Sequence, residues 1–332
     1  MMERVTLALP SKGAIAEPTL NFLQDCGLRV DKPNPRQYTG TIPAIPRVDV
    51  LFQRVTDVVY KVSDGTGQLG ITGLDVVREH PHEDLVVIHD DLRYGYCKLL
   101  VAVPEAWVDV ESIIDLAEVA LDFREHKRRN LRVATTYANL TRQYLHAQGI
   151  HHFTLVNAEG AIEVAPTIGY ADVIVDLMQT GTTLRENHLK ALADGVIVES
   201  QACLVGNRHA LEDPTVLNAA RVMLEHIDGA LQGRGYSQVT INIPADSAEE
   251  VARRVAENPI TRGLQGPTIA PIYGTAGTWH TITVIVSSKH LLQAVEYLRQ
   301  LGGTQAIVVP VRYVFLEKSP SFARLQAVLD NA

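Results

Sequence analysis

Glu163-Val164-Ala165-Pro166-Thr167-Ile168-Gly169-Tyr170-Ala171-Asp172-Val173-Ile174-Val175-Asp176-Leu177-Met178-Gln179-Thr180-Gly181-Thr182-Thr183-Leu184-Arg185 runs from an apolar stretch straight into a loop of threonine and glycine. Val173 to Leu177 has the length and apolarity of a buried strand. A helix starting near Thr183 would aim the backbone N–H groups of Thr180, Gly181, Thr182 and Thr183, with three hydroxyls, at one point where the helix dipole favours negative charge. That combination suits a terminal phosphate monoester. Asp172 and Asp176 are read at the mouth end of the strand, where carboxylates accept hydrogen bonds from sugar hydroxyls beside the phosphate. Glu163 is a further candidate for the same cleft. A simple helix cap and turn with unrelated surface aspartates would use the same letters. Acidic residues on the strand feeding the loop favour the ribose phosphate cradle.

Upstream, Val5-Thr6-Leu7-Ala8-Leu9-Pro10 reads as a buried strand, and Ser11-Lys12-Gly13 turns into a helix with Ile15, Leu20 and Leu23 on its apolar face. Val48 to Val55, Leu69 to Thr72 and Leu85 to Ile88 read as further strands, separated by helices around Val58 to Val62 and Leu74 to Glu79. This alternation predicts a largely parallel sheet covered by helices. A second α/β lobe starts near Cys97, with strands at Leu99 to Val103, Arg132 to Thr135 and Val173 to Leu177, and a helix from Leu140 to Gln148 closing at Gly149. Gly195 to Leu204 reads as one strand and Pro214 to Leu231 as a helix, ending at the boundary Gly233-Arg234-Gly235.

Beyond that glycine cluster the order changes to strand Val239 to Ile243, helix Ala248 to Glu257, strands Thr268 to Tyr273 and Thr281 to Val286, helix Leu291 to Leu301 and strand Ala306 to Val309. This is the ferredoxin-like βαββαβ order. The expected domains are residues 1–97 with 190–232 as lobe I, 98–189 as lobe II, 236–318 as the ferredoxin-like domain and 319–332 as a tail.

The 332 residues call for two or three domains, and 46% hydrophobic with 20% charged residues is the balance of a protein with a core. Against 38 Asp+Glu, 30 Lys+Arg leave a net charge of -8, which opposes adsorption to nucleic acid or an anionic membrane. The first ten residues are too short an apolar run for a secretion signal or membrane span, so a cytoplasmic protein is expected. Cys26, Cys97 and Cys203 have no paired spacing and read as buried thiols. The pairs His80/His82 and His151/His152 lack neighbouring ligands at metal spacing, so no dedicated protein metal site is expected. The basic run His126-Lys127-Arg128-Arg129-Asn130 reads as a solvated helix end.

The segment from Glu163 to Leu189 resembles the phosphoribosyl-diphosphate signature of the ATP phosphoribosyltransferase family. The likeness extends through Leu9-Pro10-Ser11-Lys12-Gly13, Arg54-Val55-Thr56-Asp57, Leu69-Gly70-Ile71-Thr72-Gly73 and Ala134-Thr135-Thr136-Tyr137 followed by Asn139-Leu140-Thr141-Arg142, in family order. One departure is Ala14, where family members commonly carry arginine after Lys-Gly.

The resemblance implies a two-lobed catalytic core like that of type II periplasmic binding proteins, plus a C-terminal ferredoxin-like regulatory domain that marks the long form. It implies transfer of phosphoribosyl from phosphoribosyl diphosphate to N1 of ATP, the first step of histidine biosynthesis, with magnesium on the pyrophosphate and feedback inhibition by L-histidine. It further implies a homo-oligomer, dimer or hexamer, without a separate regulatory subunit. On this reading Thr180, Gly181, Thr182 and Thr183 hold the 5-phosphate, while Asp172, Asp176 and Glu163 serve the ribose. Ser11, Lys12, Gly13, Arg54, Asp57 and Tyr137 meet pyrophosphate or ATP, and Thr240, Thr268 and Ala306 the inhibitor. The competing readings are a non-catalytic solute-binding protein, which shares the expected fold, and a catalytically weak paralogue, for which Ala14 speaks.

Overall fold

A computed structural model describes residues 4–34, 36–158, 160–274 and 277–330. By packing the chain forms two units, one holding residues up to Gln24 and Leu28–Ala220, the other Asp25–Gly27 and Arg221 onward. The first opens with β1 (Val5–Pro10), α1 (Ala16–Asp25), β2 (Thr39–Thr41), β3 (Val48–Gln53), α2 (Val55–Ser63), β4 (Leu69–Gly73), α3 (Leu74–Glu79) and β5 (Leu85–His89). It continues through β6 (Cys97–Pro104), α4 (Ile113–Glu125), β7 (Leu131–Thr135), α5 (Ala138–Ala147), β8 (Phe153–Asn157) and β9 (Val173–Met178). Then come α6 (Thr182–Glu186), β10 (Leu189–Ser200) and β11 (Ala202–Asn207).

Two sheets result, ordered β2-β3-β1-β4-β11-β5 and β10-β6-β9-β7-β8. β1 is buried along nearly its whole length because it lies between parallel β3 and β4 with cover on both faces, which is why it reads as an unbroken apolar run. One face, with Ala8, Cys203 and Val205, packs on Val58, Val59 and Val62 of α2 and Val76 and Val77 of α3. In the second sheet Leu99, Val101, Val133, Val173 and Val175 share one core with Leu116 and Phe123 of α4, while Leu100, Ala102, Ala134 and Ile174 form another with Leu184 of α6.

The first sheet is mixed rather than largely parallel, since β11 runs antiparallel to both β4 and β5. The reason is its route: the expected single strand Gly195 to Leu204 is two, β10 pairing antiparallel with β6 in the second sheet before β11 enters the first. The chain thus returns to lobe I after Ser200, not at residue 190. Val55 opens α2 instead of closing β3, and α4, β2 and β8 join the expected elements.

Helix α7 (Pro214–Gly233) contains the division between the units at Arg221, ahead of the glycine cluster. The second unit then runs β12 (Tyr236–Pro244), α8 (Ala248–Glu257), β13 (Thr268–Ile272), β14 (Trp279–Ser287), α9 (Leu291–Gln300), β15 (Thr304–Pro310) and α10 (Pro320–Asp330). Its antiparallel sheet is ordered β13-β14-β12-β15, the ferredoxin-like arrangement. Strict alternation along β12 buries Val239, Ile241 and Ile243 against α8 and α9. Val251 and Val255 of α8, both fully buried, each contribute about 2 kcal/mol by leaving water.

The other sheet face has Thr240, Thr283 and Thr268 at one register, with the Thr240 and Thr283 hydroxyl oxygens 3.1 Å apart. Ala306 does not join them. It precedes Ile307, the partner of Thr240, so strand alternation turns its side chain to the helix-covered core. Among the described residues no helix is long and apolar enough to cross a membrane.

Candidate active site

Both sheets of the first unit turn carboxyl ends of strands toward one cleft of about 430 Å³. Its wall is formed by Ala14 and Ile15 after β1, Val55 and Thr56 after β3, Gly73 at the end of β4 and Asp75 after it, Tyr137 after β7 and Gln179 to Gly181 after β9. Loops at such strand ends are where an α/β sheet binds ligands, because the side chains of several strands converge there without belonging to the core. Cys97 completes the wall where β6 leaves the first lobe, so this thiol is only half-buried; burial and then nearby Asp75 push its pKa up to about 11.

The threonine loop follows β9 as its composition predicts. Gly181 adopts φ +75°, a conformation that costs an L side chain, and thereby swings the chain into the single turn of α6. Thr180, Thr182 and Thr183 are exposed, and the Thr180 and Thr182 hydroxyl oxygens are 3.2 Å apart. The first N–H groups of this turn have no partner within it. Hydroxyls and N–H groups are therefore concentrated at one end of the cleft.

Asp176 and Glu163, the latter in a short 3-10 turn at Ile162–Val164, stand on the wall beside that loop. Burial pushes the Asp176 carboxyl up to about 6; an N–H donated by Leu177 opposes the rise, and Glu163 adds to it. The wall is also lined by the apolar Ile15, Val55 and Val76 and by Asp75 and Tyr137, and the Tyr137 phenol lies near enough to Asp176 to feel its charge. Asp75 is 4% exposed; the Tyr137 hydroxyl donates to its Oδ2 at 2.5 Å and the Ser200 hydroxyl to its Oδ1 at 2.6 Å. Burial and this carboxylate drive the Tyr137 phenol far above its usual range, so it acts as a donor. Gly73 is required here by close approach, because a Cβ would collide with the Asp75 carboxylate.

The cleft thus brings together Glu163, Asp176, Thr180, Gly181, Thr183 and Tyr137, with Thr182 alongside. Asp172 is the exception. It precedes the first residue of β9, about 13 Å of strand from Asp176 and at the other end of the sheet. Its carboxylate accepts from both guanidinium nitrogens of Arg129 at 2.6 and 2.8 Å and from Arg132 Nη2 at 3.0 Å. It also accepts the Arg132 backbone N–H at 2.8 Å. Burial alone would raise its pKa, but these donors hold it well below the carboxylate range. Asp172 is a structural anchor for β7 and β9, and Arg129 belongs to that anchor rather than to a purely solvated helix end.

Ser11, Lys12 and Gly13 are exposed beside the wall, which begins at Ala14. Arg54 is exposed and Asp57 half-buried, flanking wall residues Val55 and Thr56. Among the described residues the wall carries no Lys or Arg side chain. Sequence reasoning missed Asp75, Thr56, Cys97 and Gln179; Asp75, two residues beyond a strand end marked by glycine, had a usable signal, whereas the others acquire their place only by folding.

A family model described as ATP phosphoribosyltransferase matches residues 54–229, and a second, described as HisG, C-terminal domain, matches residues 233–313. The chain belongs to the ATP phosphoribosyltransferase family. Two matches together give the long form of that family, catalytic core followed by C-terminal domain. ATP phosphoribosyltransferase 2, chloroplastic, of Arabidopsis thaliana is 41% identical over 97% of this chain and 80% of its own length. The ATP phosphoribosyltransferase of Bradyrhizobium diazoefficiens is 35% identical over 97% and 98%. A solved chain of the ATP phosphoribosyl transferase (HisG:HisZ) complex from Thermotoga maritima, 23% identical, superimposes with a TM-score of 0.53 over 68% of this chain and 98% of that one, a likeness of fold. Among the described residues no group of three or more His, Cys, Asp and Glu is arranged to hold a metal.

Proposed function

We infer that the cleft transfers the phosphoribosyl group of phosphoribosyl diphosphate to N1 of ATP, giving phosphoribosyl-ATP and pyrophosphate, the first step of histidine biosynthesis. The observation that carries this reading is the make-up of the cleft in a member of this enzyme family: a threonine loop, the carboxylates Asp176 and Glu163, and apolar side chains beside Asp75 and Tyr137 line one wall. The 5-phosphate takes the N–H groups and hydroxyls of Thr180 to Thr183, and Asp176 accepts from the ribose hydroxyls with Glu163 behind it. Adenine packs on the apolar side chains Ile15, Val55 and Val76 beside Tyr137. Its N1 lone pair forms the bond to C1 as the bond from C1 to the pyrophosphate oxygen breaks, with inversion and no covalent enzyme intermediate. The leaving oxygen takes that electron pair, and the ionised carboxylates face the positive charge that develops on the ribose.

Ala14 leaves the wall without the cation that the family usually places there, so Lys12 and Arg54 at the rim are assigned to the polyphosphates, with Ser11, Gly13 and Asp57 beside them. Magnesium carried by the substrate pyrophosphate fits this wall, whose oxygen donors include Asp176 and Glu163, and would supply charge neutralisation. Inhibition by L-histidine through the second unit, at a face that includes Thr240 and Thr268, a homo-oligomer of two or six copies, and a cytoplasmic location complete the proposal. The named relatives lend no support to a non-catalytic alternative.

Near-ultraviolet absorbance of the full chain with ATP, phosphoribosyl diphosphate, magnesium and pyrophosphatase tests the reading. A rise is expected, and L-histidine is expected to suppress it; a flat trace from folded protein overturns the enzyme, and a rise indifferent to histidine overturns the regulation. Gly181→Val forces a β-branched residue into φ +75° and should raise KM for phosphoribosyl diphosphate about tenfold, with ATP within twofold. Equal losses for both substrates would remove the phosphate loop from its assigned role.

A further inference from the structure

Helix α3 presents two buried carboxylates one turn apart, Asp75 at 4% and Glu79 at 3% exposure, and both reach from lobe I into the β7–α5 corner of lobe II. Asp75 takes the Tyr137 hydroxyl, as described. Glu79 does something of another kind: its two oxygens accept the backbone N–H groups of Asn139 at 2.8 Å and Leu140 at 2.9 Å. These are the second and third residues of α5, whose own cap position, Tyr137, gives no side-chain cap. Helix α4 shows the ordinary solution, with Ser112 and Asp115 capping it from within. Helix α5 instead borrows its cap from the other lobe, and the Asn139 side-chain amide returns a bond to the Glu79 carbonyl at 3.1 Å.

We propose that Glu79 is a positioning residue for ATP in the cleft: by capping α5 across the lobe junction it sets Tyr137 against Asp75 and holds the junction shut at this edge. The cap fixes the first turn of α5, Tyr137 is the residue on which that turn begins, and its hydroxyl donates to Asp75, on the same face of the same helix that supplies the cap. Both lobes fall within one packed unit of the chain. The landmarks around Leu69-Gly70-Ile71-Thr72-Gly73 and Ala134-Thr135-Thr136-Tyr137, distant in sequence, thereby serve one junction.

This inference rests on the assignment of adenine to the wall beside Tyr137, so its test is built to separate the two. Glu79→Gln keeps one acceptor but turns an NH2 group toward the other helix N–H, so it should raise KM for ATP about tenfold while leaving KM for phosphoribosyl diphosphate within twofold. Tyr137→Phe should have a similar effect, about tenfold. The double variant decides: if Glu79 acts through Tyr137, the two changes do not multiply and KM for ATP stays about ten- to twentyfold raised. A product near a hundredfold, or a folded Glu79→Gln enzyme with an unchanged KM for ATP and only a lowered Tm, overturns the proposal. Asn139→Ala removes the return bond and a long 3.5 Å contact from the exposed Arg142 guanidinium but leaves the backbone cap in place, so it keeps the question answerable if Glu79→Gln fails to fold. It should raise KM for ATP about threefold and be absorbed by Tyr137→Phe in the same way; multiplication there overturns it as well. Absence of turnover in the unaltered chain would defeat the functional reading itself, whereas wild-type turnover with multiplying variants defeats the clamp alone.

Discussion

Asp176→Asn is expected to lower kcat/KM for phosphoribosyl diphosphate about a hundredfold while making the protein more stable at neutral pH. The loss follows from replacing an ionised acceptor that faces both the ribose hydroxyls and the positive charge developing at C1 by a neutral amide. The gain follows from burial. Because the folded carboxyl is pushed up to about 6 from an unfolded value near 3.9, holding Asp176 ionised opposes folding, and that cost grows as pH rises through this window and is complete above it. Asparagine removes it, so melting above pH 7 should show an increase on the order of 2 kcal/mol, vanishing below about pH 4.

Binding carries the opposite sign. Ribose hydroxyls donate best to the ionised form, so affinity for phosphoribosyl diphosphate should fall as pH drops through about 6 in the wild type and lose that inflection in the variant. Titration calorimetry at pH 5 and pH 7.5 measures it. Equal pH dependence in both proteins would assign the inflection to another group, and unaltered kcat/KM would remove Asp176 from the ribose site.

Asp172→Ala should do the reverse, destabilising strongly with little direct effect on chemistry. Its carboxylate is 9% exposed as a side chain and joins Arg129 and Arg132 to the start of β9. Removing it takes the carboxylate from two guanidinium groups, which keep the carbonyls of Asn130 and Gly169, and leaves the Arg132 backbone N–H without this acceptor, a loss of about 3 kcal/mol by the usual cost of breaking a partly buried pair. Denaturant unfolding should show it as a lower midpoint at pH 7. Asp172 is ionised far below its unfolded pKa, so its stabilisation is present above about pH 4 and disappears only as pH falls well below that value, where wild type and variant should converge. Kinetic constants of the protein that remains folded should lie within about threefold of wild type. A hundredfold loss of kcat/KM at unchanged stability would return Asp172 to the active site.

The contrast between these two aspartates measures how far letters alone can go. Period-2 and apolar-run patterns are local, so β1, β4, β9 and α8 were legible from their own residues, as was the βαββαβ order of the second unit. So was the loop Thr180 to Thr183, because a strand, a glycine that must take positive φ and a short helix are all written within a dozen residues. Asp172 and Asp176, four residues apart in sequence, look alike and were read as one pair; which end of β9 faces the cleft depends on the direction of the neighbouring strands. The same holds for β10 and β11, one apolar run in sequence, two sheets in space.

The sequence by itself therefore determined most of the strands and helices, the family, and the threonine-glycine loop that follows β9, since each of these rests on residues close together in the chain. Only the tertiary structure decided that Asp172 is an anchor, that Ala306 turns away from Thr240, that Asp75 accepts the hydroxyls of Tyr137 and Ser200, and that Glu79 caps α5. The physical reason is that a carboxylate's role is set by what desolvates it and what donates to it, and those partners come from elements 40 to 125 residues away.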